Sequence, residues 1–380
     1  LRGGEPMIDL ASVRGGIDAR SGVLQLHDVV VDSDRGLFKA RGEYAPGDDY
    51  RMDLTASALL PAPAGTTRPR LGLVARGDVA ALDVALSGHA PAPVRAHLGL
   101  RGASAPRWSF TASSEALDPA LLAGLGEPGT PVAFELSAEG TGGRADLRGG
   151  LAYGELRATI QPSVVSLDEQ RLEFDPLVVD VFEGRVTVTG HGDFSDPDPA
   201  QAALRYAVVA RGLAWAPAPA EGEAPDPAAT VRADADIGLA GSARLWAVVA
   251  RATLERGGES AEVELRGRGN QEGLELRSLA AGTPTGRLDG SGRVSWAPSL
   301  SWVLEAGLAG FDPGYFAPGF DGAIDGQLTG SGATRGDGGL EVSVLADDLG
   351  GQLRGRRLSG NASFAMHGAA PGSGARAAYA

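Results

Sequence analysis

Four times along this chain an aromatic residue is followed nine positions later by an apolar residue and eleven positions later by proline. The sets are Tyr50/Leu59/Pro61, Trp108/Leu117/Pro119, Tyr206/Trp215/Pro217 and Trp302/Phe311/Pro313. A spacing held across long intervals marks a repeat architecture, which restricts the fold more than any single residue does. A second landmark runs in step with the first. Leu24, Leu172 and Leu274 each begin a Leu-x-apolar pair, and each is followed twelve positions later by glycine, at Gly36, Gly184 and Gly286. Gly42–Tyr44, Gly192–Phe194 and Gly292–Val294 come next, and then the aromatic landmark Tyr50, Tyr206 or Trp302. Two markers in the same order at three places describe a degenerate repeat of β units.

Local patterning agrees. Val132-x-Phe134-x-Leu136, Leu204-x-Tyr206-x-Val208, Val263-x-Leu265, Trp302-x-Leu304 and Leu340-x-Val342-x-Val344 place apolar side chains on one face. Glu262, Glu264, Arg266, Glu341 and Ser343 fall between them. Period-two alternation of this kind predicts strands with one dry and one wet face, paired antiparallel. With 57 glycines and 24 prolines in 380 residues, long helices are excluded, because both residues weaken helix interiors. Turn signals recur every 8 to 14 residues, among them Pro46-Gly47-Asp48, Asp196-Pro197-Asp198-Pro199, Arg256-Gly257-Gly258 and Gly336-Asp337-Gly338-Gly339. Loops are expected near 60–69 and 216–229. Only Asp118 to Gly124 reads as a short helix. The expectation is one continuous β-repeat array over residues 1–380. The chain opens Leu1-Arg2, which reads as a mature or internal piece of a longer protein.

Charge narrows the partners. A formal net charge of −14 argues against nucleic acid, where phosphate neutralisation dominates binding, and against attachment to anionic lipid through a basic patch. With no cysteine there is neither a disulfide scaffold nor a thiolate metal site. No apolar run approaches the ~18 residues of a membrane helix.

No catalytic constellation emerges. His27, His89, His97, His191 and His367 are scattered, and no G-x-S-x-G elbow occurs. Gly124-x-Gly126-x-x-Gly129 has the letters of a dinucleotide fingerprint, but Pro128 interrupts it and no long helix follows. The acidic sets Asp32/Asp34, Asp193/Asp196/Asp198 and Asp234/Asp236 lack a calcium loop with its terminal glutamate. The expectation is a protein that is not an enzyme and has no catalytic residue, metal or cofactor.

Function then falls to the apolar strand face, which must be buried against something. One reading is core packing between sheets. The other is a groove for acyl chains, where each CH2 removed from water contributes roughly 0.8 kcal/mol and one chain on the order of 10 kcal/mol. The residues expected to line such a groove are Leu172, Phe174, Val186, Val188, Leu204, Tyr206, Val208, Val263, Leu265, Leu274, Leu276, Trp302 and Leu304.

Gly314 to Gly332 resembles the P-G-ϕ-x-G-x-ϕ-x-G-x-ϕ-x-G runs of TamB proteins, and Leu172 to Gly192 and Leu349 to Gly360 resemble them too. The wider relatives are AsmA-like and bridge-like lipid-transfer proteins. The resemblance implies an elongated, curved antiparallel sheet, taco-shaped, with an apolar concave groove for phospholipid. It also implies a periplasmic location, an inner-membrane anchor outside this fragment, an Omp85-type outer-membrane assembly protein as partner, and a part in outer-membrane biogenesis. A structural β-solenoid or adhesin-like array with a packed core is the alternative, although landmark spacings of 58, 98 and 96 residues are too uneven for uniform coils. An outer-membrane barrel would need aromatic girdles at both ends of its strands, which the five tryptophans and six tyrosines do not form.

Overall fold

The structure is a computed structural model. It describes residues 9–20, 22–47, 49–62, 65–90, 92–104, 106–118, 131–196, 198–216, 230–297, 299–315, 319–334, 339–367 and 378–379. It is all-β and antiparallel, as the alternation predicts. Helical structure among these residues amounts to two short 3-10 turns, Pro199–Gln201 and Pro313–Tyr315. The expected helix after Asp118 and the Gly124/Gly126/Gly129 run lie outside the described residues, as does most of 216–229.

The chain forms two compact units. Unit 1 holds β1 (Leu10–Arg20), β2 (Val23–Ser33), β3 (Gly36–Tyr44), β4 (Met52–Leu59), β5 (Arg70–Gly77), β6 (Ala81–His89), β7 (Pro93–Arg101), β8 (Arg107–Leu117), β9 (Val132–Thr141), β10 (Arg144–Tyr153) and β11 (Leu156–Asp168). Each pairs with the next in sequence. Residues of β12 (Arg171–Val181) are shared between the units.

Unit 2 holds β13 (Gly184–Asp193), β14 (Ala203–Trp215), β15 (Val231–Ser242), β16 (Leu245–Arg256), β17 (Glu259–Gly269), β18 (Gly273–Gly282) and β19 (Arg287–Ser295). It continues with β20 (Ser301–Phe311), β21 (Gly322–Thr334), β22 (Leu340–Leu353), β23 (Arg356–Arg357), β24 (Gly360–His367) and β25 (Ala378–Tyr379). It too is a meander of sequential antiparallel pairs, with β24 pairing back onto β22. Neither unit closes into a barrel.

The odd spacing of the aromatic repeat has a structural cause. Side chains alternate along a strand, so residues nine apart belong on opposite faces. In three of the four sets a β-bulge adds one residue and returns them to the same face. The bulges lie between Ser114 and Leu117 in β8, Ala210 and Leu213 in β14, and Leu308 and Phe311 in β20. Trp108 with Leu117, Tyr206 with Trp215, and Trp302 with Phe311 thus share the apolar face. The first set differs: Tyr50 lies outside any strand at φ 46°, and β4 has no bulge.

The glycine landmark is also explained. Gly36, Gly184 and Gly286 stand where a hairpin returns and meet the far part of the strand that follows. A Cβ there would lie 2.5 Å from the Leu59 carbonyl oxygen, 2.4 Å from the Gly212 carbonyl carbon and 2.1 Å from the Gly310 oxygen, respectively. Only glycine allows that approach.

Candidate functional site: an uncovered apolar face

Register fixes which side chains share a face, because directly opposed residues point the same way. In unit 2, Val186 and Val188 of β13 oppose Ala210 and Val208 of β14, with Tyr206 and Leu204 following opposite Gly190 and Gly192. The column continues through Leu239 and Ile237 of β15, then Val248, Ala250 and Ala252 of β16. Leu265 and Val263 of β17 come next, followed by Leu279, Leu276 and Leu274 of β18. Gly292 and Val294 of β19 lead to Leu304 and Trp302 of β20, then to Leu328 of β21 and to Val344 and Val342 of β22. Phe174 joins this face through its ring, 5.8 Å from that of Tyr206, and Leu172 lies two residues before it on the same strand. All thirteen residues singled out from the sequence therefore lie on one face.

That face is not a core. Twelve of the thirteen are half-buried and only Leu276, at 8% exposure, is buried. Nine of the fourteen buried apolar residues in the described chain are alanine, and the largest fully buried side chain is Pro69. Side chains shield their lateral neighbours, while nothing among the described residues is layered over them. Burial holds the Tyr206 hydroxyl above its ordinary pKa.

The reverse face of unit 2 is charged. It carries Arg205, Arg211, Asp236, Arg251, Glu262, Glu264, Arg266, Arg268, Glu275, Arg293 and Glu305. Arg211 pairs with Asp236 at 2.7 Å and Arg251 with Glu264 at 3.0 Å. Both pairs are exposed, so they fix which face is wet rather than adding much stability.

Unit 1 repeats the division, although none of the thirteen groove candidates lies in it. Leu71 and Leu73 of β5, Leu86, Val84 and Leu82 of β6, and Leu98 and Leu100 of β7 form one column, continued by Phe110 of β8 and Leu136 and Phe134 of β9. Arg76, Asp83, His97 and Arg101 lie on the other side. Arg101 binds Asp83 through two 2.9 Å hydrogen bonds and holds its carboxyl below the usual carboxylate range. A recess of about 280 Å³ opens on the apolar side, bounded by Val31, Phe38, Ala56, Leu71, Leu73 and Leu86. The signal for these residues was in the sequence: Leu71-x-Leu73 and Leu82-x-Val84-x-Leu86 alternate as clearly as any segment of unit 2.

The two edges of unit 2 differ. At the edge where β16 ends and β17 begins, the segment after β20 folds back. Tyr315, 7% exposed, donates its hydroxyl to the Leu254 carbonyl at 2.5 Å, and Arg256 Nη1 donates to the Tyr315 carbonyl at 2.7 Å. This strap covers Ala261, which is fully buried. At the opposite edge, tryptophans border the apolar face. A Cβ on Gly269 would lie 2.1 Å from the Trp246 ring, and one on Gly332 2.5 Å from Trp302 Nε1. Trp246 stacks on Trp296 at 6.5 Å and 12°, and their indole nitrogens donate to the Asn270 and Gln271 carbonyls.

Among the described residues no group of three His, Asp or Glu side chains is placed to hold a metal ion, and no helix is long and apolar enough to cross a membrane. Residues 232–374 match the family model for the TamB N-terminal domain. They run from β15 to beyond β24 and contain most of the unit 2 apolar face. No curated protein and no solved structure matches the chain.

Proposed function

We propose, on the match of residues 232–374 to the TamB N-terminal domain, that this TamB-type chain is a lipid-conduit segment of the bacterial envelope, holding phospholipid acyl chains along its apolar face. One observation carries the reading: side chains from successive strands form an unbroken apolar column that stays half-exposed, with a charged face behind it. Water against such a surface is costly. Acyl chains relieve that cost without specific polar contacts, at roughly 0.8 kcal/mol per CH2 covered. Contiguous apolar surface of this extent is rare on soluble monomers and marks an interaction site. The proposed setting is the periplasm, with an inner-membrane anchor supplied elsewhere in the full protein and an Omp85-type assembly protein at the outer membrane. No reaction is proposed.

The packed-core alternative has little support in burial, since a solenoid interior would bury leucines and valines fully rather than by half. Mass spectrometry of lipid extracted from the chain, produced in the periplasm and purified without detergent, tests the proposal. Bound phospholipid that disappears in a Leu204→Asp/Val208→Asp variant supports it. A folded wild-type protein free of lipid overturns it.

A further inference from the structure

Three arginines lie at the tryptophan-bordered edge of unit 2, on the charged side. Arg268 is near the end of β17, Arg277 lies in the bulge of β18 between Leu276 and Leu279, and Arg293 is near the end of β19. Unlike Arg211 and Arg251 on the same face, none of the three forms an ion pair among the described residues. They line a recess of about 430 Å³ with Asn270, Glu272 and Glu275. Leu274 and Val294, members of the apolar face, line it as well. The recess thus adjoins both sides of the sheet at one edge. Three cations meet two carboxylates here, in a chain of net charge −14. Trp246 and Trp296 stand beside it, apolar rings stacked and indole N–H groups on the Asn270 and Gln271 carbonyls of the same turn. Such amphipathic rings suit the boundary between hydrocarbon and a polar headgroup.

We propose that this edge recess is a phosphate-headgroup site, in which Arg268, Arg277 and Arg293 receive the phosphate of a phospholipid whose acyl chains pass Trp246 and Leu274 onto the apolar face. The inference rests on the acyl-chain reading above and adds an orientation: headgroups project at the tryptophan edge, away from the edge closed by the Tyr315 strap. Guanidinium groups match phosphate oxygens in bidentate geometry, and contacts to an ionised oxygen are the stronger class of hydrogen bond.

The test compares two monomeric ligands with identical chains, dihexanoyl phosphatidylglycerol and dihexanoylglycerol, titrated into the full chain with tryptophan emission as readout. An Arg268→Gln/Arg277→Gln/Arg293→Gln variant is expected to bind the phospholipid about tenfold more weakly and the diacylglycerol unchanged, with added salt weakening only the phospholipid. The matching Arg→Lys variant keeps the charge without the bidentate geometry and should recover only part of the loss, while unchanged diacylglycerol binding shows that the fold is intact. Equal binding of the phospholipid to wild type and the Gln variant overturns the headgroup site and leaves the apolar-face reading standing. Failure of both ligands to bind overturns both. Inorganic phosphate binding as tightly as the phospholipid overturns the lipid assignment in favour of a free-anion site.

Discussion

Replacing Val208 by aspartate separates an open apolar face from a packed one by a measurable free energy. Val208 opposes Val188 on β13 and Ile237 on β15, and it is half-buried. Full burial of a valine side chain contributes ~1.5–3 kcal/mol, so half of it accounts for about 1 kcal/mol. The poor fit of aspartate to a strand adds up to ~1 kcal/mol. On an uncovered face the new carboxylate keeps much of its hydration, so the large penalty for a buried unpaired charge does not arise. The expected loss is about 2 kcal/mol. In a closed interior the unpaired charge alone would cost ~3–5 kcal/mol. Native-state hydrogen exchange of the β13, β14 and β15 amides reads this locally, which suits an array where strands depend mainly on their neighbours. Exchange should accelerate by about thirtyfold at these strands and little elsewhere. A loss above ~4 kcal/mol, or failure to fold, would refute an uncovered face.

Further predictions concern the backbone and the strap. Gly190 has φ +130° and a Cβ there would lie 2.1 Å from the Arg205 oxygen, so Gly190→Ala should cost about 1–3 kcal/mol. Gly150→Ala, whose nearest neighbour is 3.8 Å away, should be neutral or slightly stabilising; equal urea midpoints for the two variants would contradict the geometry. Tyr315→Phe removes the hydrogen bond to Leu254 and should cost about 1 kcal/mol, seen as faster exchange in β16 and β17. Burial raises the Tyr315 pKa above 10, so the neutral phenol is favoured in the folded state. Its contribution should be complete below pH 10 and be lost as pH rises through the folded pKa. An alkaline loosening at β16–β17 that persists unchanged in Tyr315→Phe would exclude this group as its source.

Much of the fold was legible because strand alternation leaves a direct trace. All thirteen residues chosen from the sequence lie on one face, and Val132-x-Phe134-x-Leu136 and Leu340-x-Val342-x-Val344 form strands as expected. The same trace is present in β5 and β6 of unit 1, and in β15, where Ile237 and Leu239 alternate with Asp234 and Asp236, although none of these residues is among the groove candidates. Bulges were less accessible. They shift the phase by one residue, and their only mark in sequence is the odd spacing of nine, whose meaning appears once Ala210 and Leu213 are seen to share a face. The strap had no periodic signal at all: Tyr315 meets Leu254 across 61 residues from an irregular segment. The arginine cluster was hidden too, since Arg268, Arg277 and Arg293 come together only through the register of three strands.

Site-specific photo-crosslinking in living cells tests the central claim most directly. A benzophenone amino acid is placed at Leu265, on the apolar face, or at Glu264, its neighbour on the charged face. Mass spectrometry then identifies what each position captures. The account predicts phospholipid adducts at position 265 and none at 264; equal capture at both, or no lipid at 265 in a folded protein, would contradict it.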